Sequence, residues 1–90
     1  MTIKDIVGQK IAIHCSTETK ALTFLKACDC QGITWAYGRS IDTDCCGHYA
    51  NNGNKTCYHI TSEHLWYDNM YYYTRRGFQI IEFDDLDLSN

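Results

Sequence analysis

The 90-residue chain contains no proline, and neither an internal repeat nor a low-complexity linker interrupts it. Nothing marks a boundary between two domains. A chain of this length buries only about 60–65% of its unfolded surface, which leaves no apolar surplus for a second core. The expectation is a single domain spanning residues 1–90. Long hydrophobic runs are also missing. No segment approaches the roughly 18 apolar residues that cross a bilayer, and residues 1–10 lack the apolar centre of a signal peptide, so the expected location is cytoplasmic with no membrane partner. Positive charge is scarce, with 8 Lys and Arg against 11 Asp and Glu and a net charge of -3. This argues against a nucleic-acid duplex as partner, because phosphate binding draws on clustered basic side chains. A phosphate-binding loop and a nucleophile motif are absent as well, so nothing points to an enzyme.

What is there is an ordinary globular composition, 44% hydrophobic and 21% charged, with a clear local pattern. Residues 10–15 alternate, with Ile11, Ile13 and Cys15 on one side and Ala12 and His14 on the other, as a strand with one buried face requires. Thr17 is a good helix N-cap, and Glu18 complements the positive end of the helix dipole. Ala21, Leu22, Phe24, Leu25 and Cys28 then recur at three- and four-residue spacing and form the face that covers a sheet. Gly32 stops the helix. Ile33, Trp35 and Tyr37 alternate in a second strand that ends at Gly38.

Residues 39–55 lack an apolar period and read as a long loop or a loop carrying one short turn, of the kind that is usually functional or mobile in a compact domain. Residues 56–61 form a third strand, with Tyr58 and Ile60 on one face and Cys57 and His59 on the other. Residues 65–67 suit a short strand, 69–76 a short helix or turn ended by Gly77, and 78–83 a final strand. Both faces of that last strand are apolar, which predicts an interior position beside the Ile11 strand. The fold class is therefore α+β, a helix packed on a small mixed or antiparallel sheet in the order β-α-β-β-(β)-(α)-β.

Three residue sets could carry function. The six cysteines fall just under the density of a secreted disulfide scaffold, and reduced thiols are the better expectation. Their spacings do not match a zinc knuckle, and the ligands for a zinc-stabilised interaction module, if one formed, would be Cys45, Cys46, His48 and Cys57. Otherwise no cofactor is expected. Cys57 and His59 project from one strand face as neighbours, without the third group that would orient a nucleophilic pair.

The aromatic set is larger. Trp35, Tyr37, Trp66, Tyr67, Tyr71, Tyr72 and Tyr73 exceed what so small a core can bury, since Tyr and Trp carry polar atoms that need partners. Exposed rings beside Arg39, Arg75 and Arg76 have the composition of a protein-binding hot spot and also of a pocket that stacks a base and pairs its phosphates. Glu82, Asp84, Asp85 and Asp87 crowd the C-terminal end.

The runs Ile11-Ala-Ile-His-Cys15, Thr17 with Ala21 and Phe24-Leu25, Gly32-x-x-Trp35-x-x-Gly38, Thr56-Cys57-Tyr58 and Gly77-Phe78-x-Ile80-Ile81-x-Phe83-x-Asp85-Leu86 together resemble small accessory proteins of Gram-positive phages and prophages. The resemblance spans most of the chain outside residues 39–55 and carries over no catalytic residue. It implies a setting inside a bacterial host cell and an anti-defence role. In that setting the first expectation is a non-enzymatic inhibitor of an immune effector protein, in the manner of anti-CRISPR proteins. It would grip through Trp66, Tyr71, Tyr72, Asp84, Asp85 and Asp87, the acidic groups speeding encounter with a basic channel. The alternative is a sponge for a cyclic or ADP-ribose-type nucleotide signal, held by Trp35, Tyr37, Arg39, Arg75 and Arg76. A homo-oligomer would help so small a chain to complete such a pocket.

Overall fold

The computed structural model describes residues 1–42 and 47–88, apart from the side chain of Tyr37. The fold is α+β, as expected, and its sheet is mixed. Strands β1 (Ile11–His14), β2 (Thr34–Trp35), β3 (Thr56–Thr61), β4 (His64–Asn69) and β5 (Gln79–Glu82) lie in the order β2-β4-β3-β1-β5. The β1–β3 and β3–β4 pairs are antiparallel, and the β1–β5 and β2–β4 pairs are parallel. Helices α1 (Ile3–Ile6), α2 (Glu18–Cys30), α3 (Tyr49–Asn52) and α4 (Met70–Arg75) complete it.

Helix α2 starts where the sequence places it, with the Thr17 hydroxyl accepting from the Lys20 amide at 3.1 Å. It ends in a Schellman turn: Ile33 N donates to Cys28 O at 3.1 Å and Gly32 N to Asp29 O at 3.0 Å, with Gly32 at φ +78°. Helix α4 ends the same way, through Phe78 N to Tyr73 O at 3.0 Å and Gly77 N to Thr74 O at 3.2 Å, with Gly77 at φ +79°. Both stops need a left-handed residue that only glycine takes without strain. In α4 the accompanying apolar contact is ring on ring, Tyr73 against Phe78 at 5.0 Å.

The main core joins Phe24, Leu25 and Cys28 of α2 to Ile13, Tyr58, Ile60 and Leu65 of the sheet, with Ile3 and Ile6 of α1 sealing one end. Phe24 and Tyr58 stack at 5.4 Å. The opposite face is covered too: Tyr73 of α4, 1% exposed, packs on Ala12 and Cys57. This corrects one expectation: β5 is an edge strand, although it does lie beside β1. Its two apolar faces arise because Phe78 and Ile80 pack under α4 while Ile81 and Phe83 face the main core.

Candidate functional site

The site begins where β2 stops. Alternation over residues 33–37 predicts a five-residue strand, but pairing with β4 ends at Trp35 opposite Leu65. On the side away from β4 the Trp35 amide donates to Arg39 O at 2.9 Å, a bond that spans the 3-10 turn Ala36–Gly38. The chain thus leaves the sheet while β4 runs on to Asn69. Into the gap opens a cavity of about 450 Å³, lined by Trp35, Ala36, Arg39, Ser40, Asp42, Leu65, Trp66 and Tyr67. That volume falls within the range of small-molecule sites.

Its aromatic wall is held from behind. The Trp35 and Tyr67 rings meet edge to face at 5.8 Å, and His48 packs against both, 5.1 Å from Trp35 and 4.4 Å from Tyr67. The Tyr58 hydroxyl lies 2.6 Å from His48 Nε2. Burial pushes the imidazole of His48 below its ordinary pKa, which favours the neutral ring in this hydrogen bond. Trp66 is anchored by its Nε1, which donates to Thr61 Oγ1 at 2.8 Å. Among the described residues the salt bridges are His14–Glu82 and Lys20–Asp84, and neither engages Arg39. Among the described residues Arg39, in the cavity wall, therefore has no ion pair to break on meeting an anion.

Of the residues expected to hold a nucleotide, Trp35 and Arg39 come together here. Tyr37 sits between them on the 3-10 turn. Arg75 and Arg76 do not join them: they end α4, and Arg76 lies over the Tyr72 ring at 4.3 Å. The protein-binding set is also divided. Trp66 borders the cavity, but its ring stacks on His59 at 6.3 Å on the α4 side of the sheet, whose helix carries Tyr71, 58% exposed and under Lys55 Nζ at 5.8 Å. The acidic residues follow β5, three strands from β4 in the sheet and so roughly 14 Å away at ordinary strand spacing. There Asp84 pairs with Lys20 at 2.8 Å, Asp85 closes a 3-10 turn, and the Asp87 amide donates to Met1 O at 2.8 Å.

The zinc set is not assembled. Cys45 and Cys46 lie outside the described residues. His48 contacts the Tyr58 hydroxyl on the α2 side of the sheet, whereas Cys57, next in the strand, points to the α4 side. One ion cannot reach both.

Cys57 is also a poor nucleophile. It is fully buried, and burial pushes its thiol up to about 12, so the reactive thiolate is not populated near neutrality. Its cross-strand neighbour His14 is fully engaged, with Nδ1 2.8 Å from a Glu82 carboxylate oxygen and Nε2 2.6 Å from Asn54 O. His59, two residues along β3, has its Nδ1 2.7 Å from the Tyr73 hydroxyl.

Sequence reasoning did not place Ser40, Asp42, Leu65 or Tyr67 in a site. Tyr67 belongs to the aromatic surplus, and its cavity role depends on where β2 ends, which alternation alone does not reveal. Comparison of the chain with protein-family models, curated proteins and solved structures yields no match. Among the described residues, no helix is long and apolar enough to cross a membrane.

Proposed function

We propose that this chain is a non-enzymatic binding protein that sequesters a small, planar, negatively charged ligand of nucleotide type in the cavity beside β4. The observation that carries this reading is the convergence of Trp35, Tyr67 and Arg39, which has no ion pair among the described residues, on one cavity of about 450 Å³. Aromatic faces stack on a base, and a guanidinium pairs with phosphate through parallel hydrogen bonds. A single arginine beside Asp42 suits one phosphate group better than a triphosphate, and the overall charge of -3 gives no long-range help to a polyanion.

Among the described residues the cavity wall carries neither histidine nor cysteine, so grip is favoured over turnover. In the phage setting that the resemblance implies, such a protein acts as a sponge for a nucleotide signal. Inhibition of an immune effector through Trp66, Tyr71, Tyr72 and the acidic end is less favoured, because the acidic end follows β5, three strands from Trp66 in the sheet, and Asp84 is already paired.

Tryptophan fluorescence tests the proposal. Titration with nucleoside monophosphates is expected to quench emission saturably, with the response lost in Trp35→Leu and weakened in Arg39→Ala. Emission that stays flat across the nucleotide panel would remove the reading.

A further inference from the structure

The cavity borders a piece of sheet edge with an unusual property. Strands β3 and β4 form a hairpin whose last register pair is Thr61 and His64, with Ser62 at φ +56° in the turn. Along an antiparallel strand, alternate residues direct both backbone groups to the same side. Thr34 N donates to Glu63 O at 3.1 Å, so the outer edge of β4 belongs to Glu63 and then, at steps of two, to Leu65 and Tyr67. Leu65 faces β2. Tyr67 lies beyond the point where β2 departs, and the described residues place no strand beside it.

The far side of this gap is closed. Asn51 Nδ2 of α3 donates to the Tyr67 hydroxyl at 3.3 Å, and Asn69 Nδ2 donates to Asn52 Oδ1 at 3.4 Å. With the 3-10 turn on one side and α3 on the other, the open edge is about one residue long. An added peptide strand takes several residues to pair, so this edge is too short for one. It matches the length of a single ring.

We infer that the Tyr67 backbone amide and carbonyl read the hydrogen-bonding edge of the ring that stacks in the cavity, which makes the ligand a nucleobase and not merely a planar anion. The inference rests on the binding function proposed above and deepens it. Adjacent donor and acceptor groups on adenine, guanine, cytosine or uracil complement the donor and acceptor of one strand residue. A plain hydrocarbon ring of similar size would cover the same two groups and leave them unpaired.

Calorimetry with charge-matched ligands tests this, comparing the four nucleoside monophosphates with 1-naphthyl phosphate. The expected result is that the best nucleotide binds roughly tenfold or more tightly than the naphthyl ester, the discrimination of about one well-made hydrogen bond. A second arm compares Tyr67→Ala with Tyr67→Pro, since proline removes an outward amide that no ladder bond uses and is tolerated at an edge. Proline is expected to weaken nucleotide binding by a further factor of roughly ten and to leave naphthyl phosphate unchanged. If the proline variant does not fold, the ligand comparison alone decides. Equal affinity for the two ligand classes would overturn the inference and leave the cavity reading intact, whereas binding of neither would overturn both.

Discussion

The Tyr73 hydroxyl lies 2.7 Å from Nδ1 of His59, and this bond joins α4 to the strand at the centre of the sheet. Burial pushes the phenol well above its ordinary pKa and the imidazole below its own, so the bond joins two neutral groups. Tyr73→Phe keeps the ring contacts with Phe78 and leaves a half-buried imidazole nitrogen without its partner. The expected loss is about 1–3 kcal/mol, read from urea denaturation. An unchanged midpoint would mean that water replaces the hydroxyl at no cost.

The same burial sets a pH dependence. His48 and His59 both have folded pKa values lowered from 6.5 by desolvation, so between the two values the unfolded chain binds more protons than the folded one. Stability contributed by the neutral rings is fully present above about 6.5 and is lost as pH falls through the folded values. Unfolding free energy measured from pH 8 to pH 5 is expected to decline below about 6.5, and less steeply in His59→Gln. A flat profile would contradict the burial of these rings.

Cysteine reactivity separates structural thiols from accessible ones. Burial pushes Cys28 and Cys57 up to about 12, whereas Cys30 is exposed at the end of α2. Brief alkylation of the native protein near pH 8, mapped by fragment-ion mass spectrometry, is expected to label Cys30 and spare Cys28 and Cys57. Early labelling of Cys57 would show that the α4 face opens readily.

Gly32 and Gly77 hold matching positions after α2 and α4, at φ +78° and +79°. Alanine at either is expected to cost about 1–2 kcal/mol, the price of forcing a Cβ into the left-handed region. Gly47→Ala, at a position without that conformation and with open space around it, is the control. Thermal melts of the three variants check the contrast.

Much of the fold was legible because local chemistry and tertiary packing agree. Thr17 and Gly32 bound α2 as expected, residues 56–61 are a strand, and Gly77 does stop a helix. Other features depend on information that periodicity does not carry. The two apolar faces of residues 78–83 signal burial on both sides, yet they do not distinguish an interior strand from an edge strand roofed by a helix. Helix α1 was overlooked although Thr2 and Asp5 carry the signal: the Asp5 carboxylate accepts from the Thr2 amide at 2.8 Å, and Ile3 and Ile6 share a buried face. The candidate site was half legible. Trp35 and Arg39 are near in sequence and belong together, but Tyr67 reaches them only through the β2–β4 pairing. The acidic end, contiguous in sequence with β5, is separated from Trp66 and Tyr67 on β4 by two intervening strands.

The central claim is that Trp35, Arg39 and Tyr67 form one ligand site. Amide and indole NMR spectra recorded during titration with a nucleoside monophosphate test it most directly. The account predicts shifts concentrated at the Trp35 indole, the Arg39 amide and the Tyr67 amide, with Tyr71, Arg76 and Asp84 unmoved. Saturating shifts centred on Tyr71 or Asp84, or a spectrum unchanged by every nucleotide, would contradict it.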